Sequence, residues 1–358
     1  MEFINLGKHL PIKEPIIRPI SELRRMAPIL LDQNLDLLDT PENMDRAREL
    51  AAKGWQVVRI EKRSPESAFA CRTDFPRRVI LELTSKCNFL CRMCPQNGLK
   101  RPRMHMDKSM AFKVLDELEK QGIQGLWLYH LGESILHPSF QEIMAYMSAR
   151  ENLGLVWLST NGQAFSEKHI RTVLDSKVDF LNYSLHALTE EVYKTVAPHG
   201  DFNKVRGNLE RFWEIKEKIK GNHGPKKPFL HLQMIEQETT QSQVDGFIRK
   251  YYDQAEIVSV NMLEYVNLPN NSFGQKQRER KPLTNCKRVD RGDCFIMSNG
   301  DVTLCDVAVN AEIKLGNVGR DSLYDIWNGE VRTRLLELSR TGRMAENDFC
   351  AKCTDYDI

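Results

Sequence analysis

An α/β fold with parallel strands is what this sequence predicts, on three observations. Short apolar runs alternate with amphipathic stretches, the runs recur about one helix apart, and a knot of cysteines closes the first of them. The runs are RVILEL (78–83), GLWLYHL (125–131), LVWLST (155–160), VDFLNYSL (178–185), FLHLQMI (229–235) and EIVSVNML (256–263). Six strand-and-helix repeats in about 190 residues require crossover connections, which join parallel strands. Six fall short of the eight that close a TIM barrel, so the expected architecture is a partial (β/α)6, TIM-like barrel. A small C-terminal hairpin-plus-helix domain that binds a metal or cluster should follow it.

In chain order, residues 1–75 are expected to form an N-terminal extension that caps the open side or bottom of the barrel. It contains a helical stretch, PENMDRARELAAKGW, and a strand, QVVRI. The barrel then occupies 76–267. Its first helix, DKSMAFKVLDELEKQG, has Met110, Val114, Leu115 and Leu118 at helical spacing, Asp107 to cap its start and Gly122 its end. In HPSFQEIMAYMSAR, Pro138 is expected near the first helical position, with Ile143, Met144 and Met147 on one face. KGNHGPKKP (220–228) reads as a surface turn, and LPNNSFGQKQRERKPLTN (268–285) as a linker into the last domain, 268–358. There SNGD is a hairpin turn signal between FIM and VTLC.

The 358 residues are 41% hydrophobic and 28% charged, enough for a sizeable core. With 51 basic and 49 acidic residues, the net charge of +2 gives no ground for a nucleic-acid or membrane partner. The opening MEFINLGKHLPIKEPIIRPI is broken by prolines and charges, unlike a signal peptide, and no run approaches the roughly 18 apolar residues of a spanning helix. The expectation is a soluble, cytoplasmic protein, where clustered cysteines point to metal rather than to disulfides.

Seven of the nine cysteines fall into two constellations. Cys87, Cys91 and Cys94 have the spacing C-x3-C-x2-C directly after the first strand, on the carboxyl-end loops where barrel chemistry sits. Three thiolates on one loop can hold three irons of a four-iron cluster and leave the fourth open to a small-molecule ligand. A zinc site with a distant fourth ligand, or three buried thiols, is the plainer alternative. Cys286 and Cys305, brought near each other by the hairpin, and the later pair Cys350 and Cys353 supply four thiolates, enough for a four-iron cluster or a zinc ribbon. Cys294 could replace Cys286, lie buried as a thiol, or donate hydrogen to a substrate radical; Cys71 has the last two options.

The three-cysteine loop after the first strand resembles the hallmark of the radical S-adenosylmethionine superfamily, over about residues 76–265. That resemblance implies that S-adenosyl-L-methionine binds the open iron and that one electron, delivered by a flavodoxin- or ferredoxin-type donor, yields a 5′-deoxyadenosyl radical that takes hydrogen from a substrate. The motif LGE, with Gly132 and Glu133, resembles the family's element for the cofactor's amino group. STNG, with Ser159 and Asn161, resembles its ribose-binding element, and Ser184 and Gln233 are similar but weaker candidates. Met93 stands where many members have an aromatic residue beside adenine. Read singly, each of these is an ordinary turn or rim residue.

The C-terminal constellation, with LGNV and SLYDIWNGE between its halves, is similar to the twitch form of the SPASM extension, which implies one auxiliary four-iron cluster. Oxidation of an alcohol in a small polar metabolite, such as a sugar, aminocyclitol or nucleoside, is the implied activity. Radical epimerisation and peptide modification are rivals, and a non-catalytic iron-sulfur or zinc protein is the alternative from another class. Tyr129, His130, His186, Glu264 and Tyr265 are further pocket or rim candidates.

Overall fold

The computed structural model describes residues 2–3, 74–219, 228–251, 254–255, 257–262 and 284–353. The expected helix at 41–55, the strand at 56–60, Cys71, Glu264, Tyr265 and nearly all of 220–228 and 268–285 lie outside the described residues. Six parallel strands follow the predicted runs: β2 (Arg78–Leu81), β3 (Gly125–Leu128), β4 (Leu155–Thr160), β5 (Phe180–Ser184), β6 (Phe229–Glu236) and β7 (Ile257–Met262). They pair in sequence order, β2 to β7, and among the described residues β2 and β7 do not meet. The barrel is therefore partial, as expected.

The first helix runs Lys108–Gln121, with the Asp107 carboxylate accepting from the N–H groups of Ser109 (2.8 Å) and Met110 (3.4 Å) and Gly122 closing its end at φ 71°. One expectation is corrected. The second helix begins at Phe140 after the cap Ser139, so Pro138 precedes the helix instead of opening it. His137 fixes that turn: its ring Nδ1 accepts from the Ser139 N–H at 3.0 Å, and Nε2 lies 2.7 Å from the Met106 carbonyl.

The sheet does not stop at the barrel. β8 (Asp293–Ile296) pairs parallel to β2, and the hairpin through β9 (Asp301–Thr303) and β10 (Gly316–Asn317) extends the sheet to nine strands. A bidentate ion pair fixes the register, with Arg78 Nε and Nη2 at 2.6 and 3.0 Å from the Asp293 carboxylate, both side chains buried. At the other edge, β1 (Glu2–Phe3) pairs antiparallel with β7.

Side chains alternate across the strands, as the period of two requires. Val79, Leu81, Leu126, Leu128, Val156, Leu158, Leu181 and Leu230 point to the helix layer, where they join Val114, Leu115, Ile143, Met144 and Met147 in the main core. The opposite face carries a smaller apolar group, Ile80, Trp127, Trp157, Phe180 and Phe295. Register puts these five in one row across β8, β2, β3, β4 and β5. Trp157 stacks on Phe180 with ring centroids 4.7 Å apart, so the row forms an aromatic floor inside the barrel.

Candidate active site

One step toward the carboxyl ends of the strands, the inward row turns polar. It holds Glu82, Tyr129, Ser159, Asn182 and His231, and above it Ser184 pairs with Gln233. Asn182 Nδ2 donates to Ser159 Oγ (3.2 Å) and Gln233 Oε1 (3.1 Å), joining two of the sequence-predicted residues through one the motifs did not single out. The signal was present: in FLNYS the alternation of β5 makes Asn182 an inward polar residue between Phe180 and Ser184. Its Oδ1 is buried without a partner.

The three motifs interlock. Cys87, Cys91 and Cys94 lie on the loop after β2, half-buried, and each thiol is pushed above its ordinary value first by burial, Cys87 to about 12. Asn161 Nδ2 donates to Asn88 Oδ1 (2.8 Å) and contacts Cys87 Sγ at 3.6 Å, while the Asn161 N–H donates to Glu133 Oε2 at 2.7 Å. Gln96, buried within the loop, donates to the carbonyls of Ser85 (2.8 Å) and Leu131 (2.9 Å). Cysteine loop, LGE and STNG are thus one hydrogen-bonded unit.

Glycine is required twice here. A Cβ on Gly132 would stand 1.8 Å from the Thr84 carbonyl oxygen, so this residue lets the β3 end press against the cysteine loop. Gly162 has φ +79°, and a Cβ there would meet Tyr183 Oη at 1.9 Å. Glu133 is buried, which raises its carboxyl to about 7 against the opposing bond from Asn161, and its Oε1 has no partner. A buried carboxylate with one free oxygen beside three thiols suits an ammonium group, and an uncompensated thiol trio suits iron, so these residues fit a cluster-bound amino acid cofactor. Met93 lies half-buried on the same loop. His186, just beyond β5, is buried in the left-handed region at φ 60°, with its Nδ1 unpartnered and burial lowering its pKa to about 4.

The second constellation is separate. Cys286, Cys305 and Cys350 are buried in one apolar cluster with Val289, Leu304 and Met344, and Cys353 packs against it. Burial raises the thiols of Cys305 and Cys350, the latter to about 12, and both feel Cys286. The structure does not bring Cys294 to this group. It sits fully buried on β8 facing the helix layer, in the main core with Val79 and Trp327. It therefore faces neither the four thiols nor the barrel interior. The two constellations are linked through their loops, since the Lys100 N–H (2.6 Å) and the Arg101 N–H (3.4 Å) donate to Asn310 Oδ1, five residues beyond Cys305.

Comparison with known proteins gives matching results. The profile of the radical SAM superfamily matches residues 81–223, and that of the iron-sulfur cluster-binding SPASM domain matches 286–354. A tungsten-containing aldehyde ferredoxin oxidoreductase cofactor-modifying protein of Pyrococcus furiosus is 25% identical over 147 residues, 40% of this chain and 40% of that protein. The chain thus spans less than half the length of that relative. An S-adenosyl-L-methionine-dependent 2-deoxy-scyllo-inosamine dehydrogenase of Niallia circulans is 20% identical over 281 residues, 78% of this chain and 92% of that one. Among solved structures, that of BtrN in complex with AdoMet and 2-DOIA shares the fold, with a TM-score of 0.53 at 17% identity, over 79% of this chain and 95% of that one.

Proposed function

We propose that this chain, a member of the radical S-adenosylmethionine superfamily with a SPASM-type iron-sulfur domain, oxidises an alcohol in a small polar metabolite, of the sugar or aminocyclitol kind. Its cofactors are S-adenosyl-L-methionine with a four-iron cluster, and auxiliary iron-sulfur in the C-terminal domain. When bound, the cofactor supplies the radical that removes hydrogen. The chain's own residues do the rest: Cys87, Cys91 and Cys94 hold the cluster, Glu133 takes the ammonium, and Ser159 and Asn161 take the ribose. To the same cofactor we assign Met93, Ser184 and Gln233. Cys286, Cys305, Cys350 and Cys353 hold one auxiliary four-iron cluster.

One observation carries the oxidative reading: the loop of the first thiols is hydrogen-bonded to the loop of the second, so an electron left on the substrate has an acceptor fastened to the same site. The dehydrogenase relative from Niallia circulans supports it, and its 2-deoxy-scyllo-inosamine is the substrate class we assign. Epimerisation has less support, because Cys294 faces the helices. The electron donor we assign is an acidic flavodoxin- or ferredoxin-type protein, since Leu90, 41% exposed, lies between exposed Lys86 and Arg92 at the cysteine loop. We assign residues 1–75 to a cap, 76–267 to the radical barrel and 268–358 to the auxiliary domain of a cytoplasmic enzyme. Among the described residues no helix is long and apolar enough to cross a membrane.

The test is iron per chain after anaerobic reconstitution, with 2-deoxy-scyllo-inosamine as the aminocyclitol probe. About eight irons, falling to about four when Cys87, Cys91 and Cys94 are replaced by alanine, together with ketone formed from the probe, is the expected result. About four falling to none would remove the internal acceptor and the oxidative reading with it.

A further inference from the structure

Glu82 is the last inward residue of the first strand's run, buried one step above the aromatic floor. Its carboxylate accepts from Arg101 Nη1 and Nη2 at 2.7 and 2.5 Å, from the Ser298 N–H at 3.1 Å, and lies 3.0 Å from His130 Nδ1. Burial alone would raise this carboxyl, but the bonds from His130 and Arg101 outweigh it and hold it at about 2. An ionised carboxylate can only accept, so the proton between the two residues belongs to His130 Nδ1. With Nδ1 engaged by Glu82, Nε2 is the ring nitrogen left to face a ligand.

Nε2 is buried and has no partner, on a side chain only 6% exposed whose ring lies 5.5 Å from that of Phe295 on the barrel floor. The charged groups around the ring are Glu82 from β2 and Arg101 from the cysteine loop; β8 offers Phe295, which is apolar. A histidine whose inner nitrogen is held by a carboxylate and whose outer nitrogen has no partner has the arrangement of an oriented base. The same floor contributes Trp127 Nε1, a buried donor without a partner, the kind of group a hydroxyl could satisfy.

We propose that His130 Nε2 accepts the proton of the substrate hydroxyl whose carbon is oxidised, with Glu82 and Arg101 as positioning residues. This rests on the alcohol-oxidation reading. The carbon gives its hydrogen atom to the cofactor-derived radical, the oxygen gives its proton to Nε2, and the remaining electron passes to the iron-sulfur acceptor held by the C-terminal thiols. A C=O bond replaces the C–O bond, and the imidazolium is stabilised by the Glu82 carboxylate.

His130→Asn is the informative variant, because its amide can donate to Glu82 where Nδ1 stands while nothing replaces Nε2. In the reconstituted full chain with the aminocyclitol probe, ketone formation should fall about 100-fold or more, and the ratio of ketone to 5′-deoxyadenosine should fall with it. His130→Gln, which places an amide at the Nε2 position, should show the same drop in ratio and guards against loss of iron in the first variant. A purely structural role would lower both products together, and an unchanged ratio in either iron-replete variant overturns the proposal. Wild-type enzyme that forms 5′-deoxyadenosine but no ketone would instead overturn the oxidative reading, and the proposal with it.

Discussion

The two faces of the barrel sheet are made by the same strands and are chemically opposite. Toward the helices, Leu81, Leu128, Leu158 and Leu181 are completely buried among other apolar side chains, and every strand from β2 to β6 contributes. Toward the interior, an aromatic floor gives way to a polar row in which Asn182 Oδ1, Trp127 Nε1 and His130 Nε2 are buried with no partner. Buried polar groups are normally satisfied, because leaving one unpaired costs about 1–3 kcal/mol. One face therefore stores the stability of the fold, and the other spends some of it on groups that wait for a ligand.

If that contrast holds, changes on the two faces should separate activity from stability. The largest effect is expected from replacing Cys87, Cys91 and Cys94 by alanine, which should abolish 5′-deoxyadenosine formation while the far-ultraviolet circular dichroism of the barrel stays as in the wild type. Gly132→Ala comes next. Its Cβ cannot coexist with the Thr84 carbonyl at 1.8 Å, so the cysteine loop must shift, and cofactor cleavage should fall about 100-fold in a single-turnover assay.

On the helix side, Leu158→Ala should cost about 2–5 kcal/mol in denaturant unfolding, with cleavage per folded chain retained. Its inward counterpart, Asn182→Ala, should change stability by no more than about 1 kcal/mol and raise KM for the aminocyclitol probe about fivefold, leaving kcat near wild type. A large loss of stability from Asn182→Ala would erase the distinction between the faces.

A separate effect concerns acid. Because Glu82 is held at about 2 in the fold against 4.5 ordinarily, the unfolded chain binds the extra proton in that interval. Its stabilisation is complete above pH 4.5 and drains away as the pH falls toward 2. Glu82→Gln should flatten this part of the stability curve, and acid titration of both proteins by circular dichroism reads it directly.

Much of this was legible in the chain itself. The six strand runs, the Asp107 cap and the two thiol groups follow from local spacing, which local physics rewards. What stayed hidden is long-range. Nothing in DCFI says that it will pair with β2, 215 residues earlier at Arg78 and Asp293, so the hairpin read as a separate unit and Cys294 as a free agent. Glu82 sits within a run that is otherwise largely apolar, although a carboxylate in the inward register beside the cysteine loop is itself a signal. His130 stood only as a rim residue until its partner came into view. Pro138 misled because its neighbour His137, not the helix, dictates the local turn.

The pairing of β8 with β2 also bears on how this protein can be cut. A chain shortened before β8 would leave β2 as a bare strand edge of four buried residues, an open invitation to strand-to-strand aggregation. It would also leave the Arg78 guanidinium without Asp293, its buried ion-pair partner in the intact sheet. The C-terminal segment is thus the barrel's selvedge, and an isolated barrel fragment would be expected to precipitate before its activity could be assayed.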